Sequence, residues 1–427
     1  METAQAGGSM SRTRFALSLA ELALTMLVAV AFFTPSPTRD AWVWLIWGYP
    51  LLWVARVIVR QPVGFSHPLV LAGMSFLVVC MVNLVVAPYP SRGAILLYRP
   101  VFGLALMVML IGWALRGDAR RGLAGLAVAM GGLVALAALT ATQWGNKSAA
   151  FASVIAALPR TDDWALWAGG FNPNEIAGAI AWLLPLSVGL GVRAPLSRPM
   201  RAALLLAAAG MGLALVLGQS LSGLVGAGVG VVLCALPMRW VRPALVLVMV
   251  GVLAGHLLIY LAPVQAADLL AQASGRSSVT SIEHRGVMWE RAVAMLNDHP
   301  TTGVGLAMYR QLRDEYPTPG FEQALVPHPH NAVLQFATDL GWVGVGQWLL
   351  QAVLMGFALW LGWRVPALRG WVIALGAGFA AHSVYGLTDA IPVWDRLAFI
   401  GWGVLGAAAA VSVMATRSGA TDTPASG

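Results

Sequence analysis

The chain has 427 residues, 59% of them hydrophobic and 10% charged, and its mean hydropathy is +0.75. Soluble domains carry about 25% charged residues, so a soluble globular fold is excluded. The net charge of +8 is mostly arginine gathered at one membrane face and is no sign of nucleic-acid affinity. Many apolar runs approach the roughly 20 residues that cross a bilayer, and none alternates with the period of a barrel strand. Helices are therefore the way this backbone satisfies itself in lipid. The expectation is an all-α polytopic membrane protein.

In chain order, hydropathy and the proline, glycine and arginine breaks predict twelve spans: 15–33, 41–59, 68–87, 98–115, 122–141, 175–192, 202–218, 221–237, 243–262, 341–363, 370–388 and 396–414. Arg12 and Arg14 precede the first run, which has no convincing cleavage site and reads as a retained anchor. Cys80 and Cys234 fall inside apolar runs and act as small hydrophobes. With the N-terminus in the cytoplasm, Arg56 and Arg60, Arg116, Arg120 and Arg121, Arg193, Arg198 and Arg201, Arg239 and Arg242, and Arg364 and Arg369 occupy short inner loops. The outer Lys and Arg are spread over much longer loops. This positive-inside pattern puts both termini in the cytoplasm. The expected division is 1–261 for spans one to nine, 262–340 for a catalytic outer loop, 341–414 for spans ten to twelve, and 415–427 for a disordered tail.

Three outer segments share one face: Thr142 to Glu175, the tight turn Leu217 to Gly223, and the long loop before span ten. In the long loop, Thr280 and Glu283 have the spacing of a capping box and predict a helix to about Asn297. Arg285, Trp289, Ala292 and Leu296 share a face of it. Pro300 ends it, and Gly303 and Gly305 allow a sharp turn. A second helix is predicted from Pro329, with His330, Leu334 and Ala337 on one face, ending at Gly341.

Within this loop His330 is the candidate base. Histidine titrates near neutrality, and the first turn of a helix disfavours the imidazolium. It reads equally as an exposed loop histidine, and His328 is a weaker candidate of the same kind. Arg285 is the candidate phosphate contact, because guanidinium grips phosphate oxygens in a fork. An interfacial arginine paired with Glu283 or Glu290 would look the same. Arg291, Arg310 and Arg313 read as solvated surface. Arg99, at the outer end of span four, either reaches a phosphate or anchors the boundary. Asn172 and Asn174 suit sugar hydroxyls, although Asn174 also reads as a helix cap. Glu21, His256 and His382 lie within spans, where packing or helix-to-helix hydrogen bonds account for them as well as a proton path does. His284, His299, His328 and His330 match no zinc spacing, and no P-loop or dinucleotide motif is present, so neither metal nor cofactor is expected.

The run HRGVMWERAVAMLNDHPTTGVG followed by PHPHNAVLQFATDLGWVG resembles the signature region of the O-antigen ligase and polymerase superfamily. The matching positions are Arg285, Trp289, Pro300, Gly303 with Gly305, His330 with Asn331, and Gly341 with Gly344. GFNPNEIAG and the serine-rich turn holding Ser220 and Ser222 resemble further family segments. The resemblance implies a GT-C-like membrane protein of the bacterial inner membrane, with a large periplasmic loop containing short helices and the active site at the periplasmic face. It implies an inverting, metal-independent glycosyltransferase that moves a glycan from undecaprenyl diphosphate to a sugar hydroxyl of lipid A–core. His330 takes the place of the base and Arg285 that of the group neutralising the leaving diphosphate. Arg99, Asn172, Asn174, Ser220, Ser222, Trp289, His328 and Asn331 are the expected substrate contacts. One departure stands out: Leu221 occupies a position where the family often carries arginine, and Arg99 is the expected substitute. A repeat-unit polymerase is the runner-up. A lipid-linked glycan flippase is the alternative of another class, opposed by the lack of paired broken helices and of a two-half repeat.

Overall fold

The computed structural model describes residues 2–33, 42–117, 119–144, 151–163, 167, 169–273, 283–317 and 326–421. These fold into helices, and among the described residues the β pairing consists of an isolated bridge between Thr142 and Phe171. In chain order the helices are α1 (Glu2–Phe33), α2 (Gly48–Ile58), α3 (Pro68–Val86), α4 (Pro90–Ala94), α5 (Tyr98–Arg116), α6 (Ala119–Thr140), α7 (Ala152–Ala156) and α8 (Pro173–Arg193). They continue as α9 (Arg198–Gly218), α10 (Leu221–Ala235), α11 (Met238–Leu261), α12 (Pro263–Ala273), α13 (Glu283–Asp298), α14 (Ala332–Trp363), α15 (Arg369–Tyr385) and α16 (Phe399–Thr421).

Among the described residues, 10 helices are long and apolar enough to cross a membrane. The sequence predicts twelve spans. The difference lies at spans two and eight, which form the shorter apolar helices Val43–Ile58 and Leu221–Ala235. At about 1.5 Å per residue these fall short of a hydrocarbon core of about 30 Å. The C-terminal expectation also needs correction. Helix α16 runs to Thr421 instead of ending at 414, and residues 422–427 lie outside the described residues.

The core is a bundle in which α15 packs on α8 and α10, α16 on α5, α9 on α6 and α8, and α14 on α3 and α16. Small residues let these backbones approach. A Cβ on Gly226 of α10 would run into the Ala381 carbonyl of α15, and one on Gly189 of α8 into Ala374. A second apolar cluster forms under the outer loop, where Trp289, Ala292 and Met295 of α13 meet Met308, Tyr309, Leu312, Leu334 and Ala267. This cluster seats α13 against the helices below it and so positions the site.

Glu21, His256 and His382 are each hydrogen-bonded to neighbouring elements. Glu21 accepts from Arg56, Trp113 and Arg116. His256 Nδ1 meets Asn331 Nδ2 at 3.1 Å, and His382 Nδ1 lies 3.2 Å from the Gly178 carbonyl.

Candidate active site

The predicted loop helix and the tenth predicted span run together as α14, with a break at Gly341, where the sequence places the boundary between them. That residue has φ 65° and ψ −164° inside α14, a region open to glycine alone. The break frees backbone groups, and the 300–305 turn plugs into it. Val304 N–H donates to the Thr338 carbonyl at 2.7 Å, Gly305 N–H to the Asp339 carbonyl at 3.2 Å, and Trp342 N–H to the Pro300 carbonyl at 2.7 Å. Gly303, at φ 67°, lies so close that a Cβ there would meet the Thr338 carbonyl. The buried Asp339 carboxylate fastens the assembly. It accepts from Gln335 Nε2 at 2.6 Å, Trp394 Nε1 at 2.8 Å and Ala307 N–H at 3.2 Å. Asn83 of α3 adds bonds from Nδ2 to the Thr302 and Asp339 carbonyls.

The predicted second loop helix starts later than Pro329. Asn331 is the N-cap of α14, its Oδ1 accepting from Leu334 N–H at 2.9 Å. His330 therefore sits outside the helix with φ 51°, not in its first turn. A histidine in the left-handed region is uncommon and carries strain that its surroundings must hold. They do so from two sides. His330 N–H donates to His328 Nδ1 at 3.2 Å, and Asn331 Nδ2 donates to the Leu387 carbonyl at 3.0 Å. Ala332 N–H adds a bond to the Gly386 carbonyl at 2.8 Å, so the α14 N-terminus is clamped to the segment after α15.

That segment supplies a residue the sequence reading missed. Asp389 is buried, and its Oδ1 lies 3.0 Å from His330 Nδ1. Its Oδ2 has no hydrogen-bond donor among the described residues, but Arg285 Nη2 stands 3.9 Å away. Burial alone would raise this carboxyl. The neighbouring His330, which hydrogen-bonds it, with Arg285 and His328, instead holds it well below the usual carboxylate range. Burial pushes the His328 imidazole down to about 3, and the neighbouring His330 adds to the shift. His330 remains 24% exposed and Arg285 14%, enough for both to meet a ligand.

An ionised Asp389 fixes Nδ1 as the donor and leaves His330 Nε2 as an acceptor. This is a base with its orienting carboxylate, and a guanidinium stands on the other side of that carboxylate. Ligand atoms of His328, His330 and Asp389 all lie within 4.8 Å of one another, a separation three ligands of one ion could share. Arg285 places a permanent positive charge against the same carboxylate, which opposes a cation there.

The other expected contacts divide into neighbours of this group and residues occupied elsewhere. Ser222 Oγ lies 2.8 Å from Thr388 Oγ1 and so touches the Asp389 segment. Ser220 is buried, and its hydroxyl has no hydrogen-bond partner among the described residues. Trp289 is fully buried in the cluster under α13, away from the open face that was expected to hold it with Arg285. Asn172, and not Asn174, caps α8: its Oδ1 accepts from Asn174 N–H at 2.8 Å, with Glu175 closing the capping box. The Asn174 carbonyl accepts from Tyr385 Oη at 3.0 Å. Arg99 is buried, 3.3 Å from Tyr98 Oη. It acts on Asp395, whose carboxyl is raised by burial and by Glu175, and Arg99 partly offsets that rise. Arg396 joins this second group by gripping Glu175 at 2.6 and 3.1 Å. Arg291 corrects its expectation as solvated surface. It is buried, with its guanidinium 4.4 Å from the Tyr309 ring centre. The Thr280 end of the predicted capping box lies outside the described residues.

Residues 205–349 match the model of the O-antigen ligase family. The match holds Arg285, His328, His330 and Asn331, and ends before Asp389. No curated protein matches the chain.

Proposed function

We propose, from the O-antigen ligase family domain that the chain carries over residues 205–349, that this multi-pass membrane protein is a glycosyltransferase with a lipid-diphosphate-linked glycan donor. The family covers ligases and polymerases, and its members transfer lipid-linked glycans. The reading proposed here is the ligase: a glycan passes en bloc from undecaprenyl diphosphate to a sugar hydroxyl of lipid A–core. The observation that carries it is the convergence of His330, Asp389 and Arg285 at one end of the bundle.

In this reading His330 Nε2 takes the proton of the acceptor hydroxyl as its oxygen attacks the anomeric carbon. The bond from that carbon to the diphosphate oxygen breaks, and undecaprenyl diphosphate leaves with the electron pair. Attack from the face opposite the leaving group inverts the anomeric centre. Asp389 holds the imidazole tautomer and stabilises the imidazolium that forms. Arg285 meets the charge growing on the diphosphate, where a fixed cation lowers the barrier. The positive-inside pattern supports cytoplasmic termini and a periplasmic site. Residues 262–340 are then the catalytic loop, completed by the Asp389 segment.

The test supplies purified protein in lipid with undecaprenyl-diphosphate glycan, with and without lipid A–core, and resolves the products on a gel. Glycan on lipid A–core, formed only when that acceptor is present, is the expected result. Longer lipid-linked chains from donor alone would assign the polymerase reaction instead. No covalent product from competent substrates would return the chain to the flippase class.

A further inference from the structure

At the opposite end of the bundle from His330 lies a cavity of roughly 1250 Å³. Helix α5 begins with Tyr98 and Arg99 near Asp395 and ends at this cavity with Arg116. Helix α16 begins after the Asp389 segment and reaches it with Arg417. Six arginines line the space: Arg14, Arg60, Arg116, Arg120, Arg121 and Arg417. They come from α1, the end of α2, α5, α6 and α16, so distant stretches of sequence converge on one hollow. Among the described residues no carboxylate lines it.

The floor is fixed. Buried Glu21 holds Arg56 and Arg116, each at 2.9 Å, and the fully buried Arg56 also donates to Ser18 Oγ at 2.9 Å and to Gln61. Arg417 donates to the Ala114 and Leu115 carbonyls at the end of α5. The wall on the α1 side is apolar. Phe15 and Leu19 line it and are 72% and 55% exposed, as side chains facing lipid are. The positive-inside tendency accounts for arginines at this face but not for their closure around a cavity with one apolar wall. Guanidinium groups converging on a hollow fit the oxygens of a phosphate. A basic pocket between spans, open along one side to acyl chains, fits a lipid carrying that phosphate.

We propose that this cavity binds the phosphate-bearing headgroup of an anionic phospholipid, with the Phe15 and Leu19 wall taking the start of an acyl chain. The site is independent of glycan transfer. Binding of dioctanoyl phosphatidylglycerol, dioctanoyl phosphatidylcholine and inorganic pyrophosphate to the purified full chain, read by native mass spectrometry, tests it. The wild type retains phosphatidylglycerol in preference to phosphatidylcholine. The triple variant Arg60→Gln, Arg120→Gln, Arg121→Gln alters exposed side chains, melts as the wild type does, and binds phosphatidylglycerol about tenfold more weakly or worse. Arg310→Gln with Arg313→Gln, at the other face, leaves binding unchanged. Tight pyrophosphate binding lost in the same triple variant would support the anion site and assign it to a free phosphate. Equal retention of the two lipids by the wild type, with no pyrophosphate binding, would overturn the proposal. So would an equal loss in the Arg310 and Arg313 variant, which would mean diffuse charge attraction.

Discussion

With Nδ1 committed to Asp389, the His330 imidazole has one nitrogen left to accept a proton. The pair therefore works as a unit. Asp389→Asn keeps the shape but can present its amide hydrogens to Nδ1, which favours the wrong tautomer. Transfer should then fall by about 10²- to 10⁴-fold, the usual worth of a positioned base. A steady-state assay in lipid checks this, and near-normal turnover in the Asn variant would remove Asp389 from the mechanism. His328 supplies a second prediction, on stability. Its folded pKa is depressed to about 3 from 6.5, so the unfolded chain binds a proton that the folded one refuses. Stability is present above about pH 6.5 and declines as pH falls below it; Asp389, also depressed, adds loss of the same sign further down. Melting in detergent should drop between about pH 7 and about pH 5, and His328→Gln should flatten that slope. His330 and Arg285 were legible in the sequence because ionisable residues are scarce in so apolar a chain. Asp389 was not, since its pairing is long-range and the segment around it carries no periodicity or motif. The left-handed backbone of His330 was equally hidden: Pro329 suggested a helix start, and the Asn331 cap two residues on prevailed.

At the scale of elements, the broken α14 and the turn that fills it are one device. The break leaves carbonyls of Thr338 and Asp339 without helical partners, and the 300–305 turn satisfies them. Gly341 is required by its dihedral angles and Gly303 by both its φ and its contact with α14. Gly341→Ala should cost about 1–3 kcal/mol or more, since this backbone region is essentially closed to other residues. Thermal unfolding of the purified variant measures the cost, and an unchanged melting temperature would contradict the role of the break. The sequence showed Pro300, the Gly303–Gly305 turn and Gly341 as separate punctuation. It could not show that the punctuation interlocks, because hydrogen bonds between backbone groups leave no side-chain signature. Arg291 illustrates the same limit: its position in α13 suggested surface, while the partner that covers it, Tyr309, comes from beyond the Pro300 turn.

At the scale of the molecule, charge among the described residues gathers towards two ends of an apolar bundle, and part of it is buried there. Glu21 ties α1 to Arg56 of α2 and Arg116 of α5. Glu21→Gln would leave the fully buried Arg56 without its counter-charge, which typically costs about 3–5 kcal/mol. A melting temperature equal to wild type would refute the view that this network joins the first helices to the bundle. Hydropathy found all 10 of the long apolar helices among the described residues, since burying twenty apolar residues in sequence is a local property. It overextended spans two and eight because apolar composition continues past the helix ends there, at the caps after Ile58 and Ala235.

The most direct test of the central claim is the transfer rate of His330→Gln in lipid, at saturating donor and acceptor, against wild type of equal melting temperature. Loss of a positioned base predicts a fall of about 10²- to 10⁴-fold, with donor binding retained. Turnover within about twofold of wild type would contradict the assignment of His330 as base and, with it, the reading of this site as the place where the glycosidic bond forms.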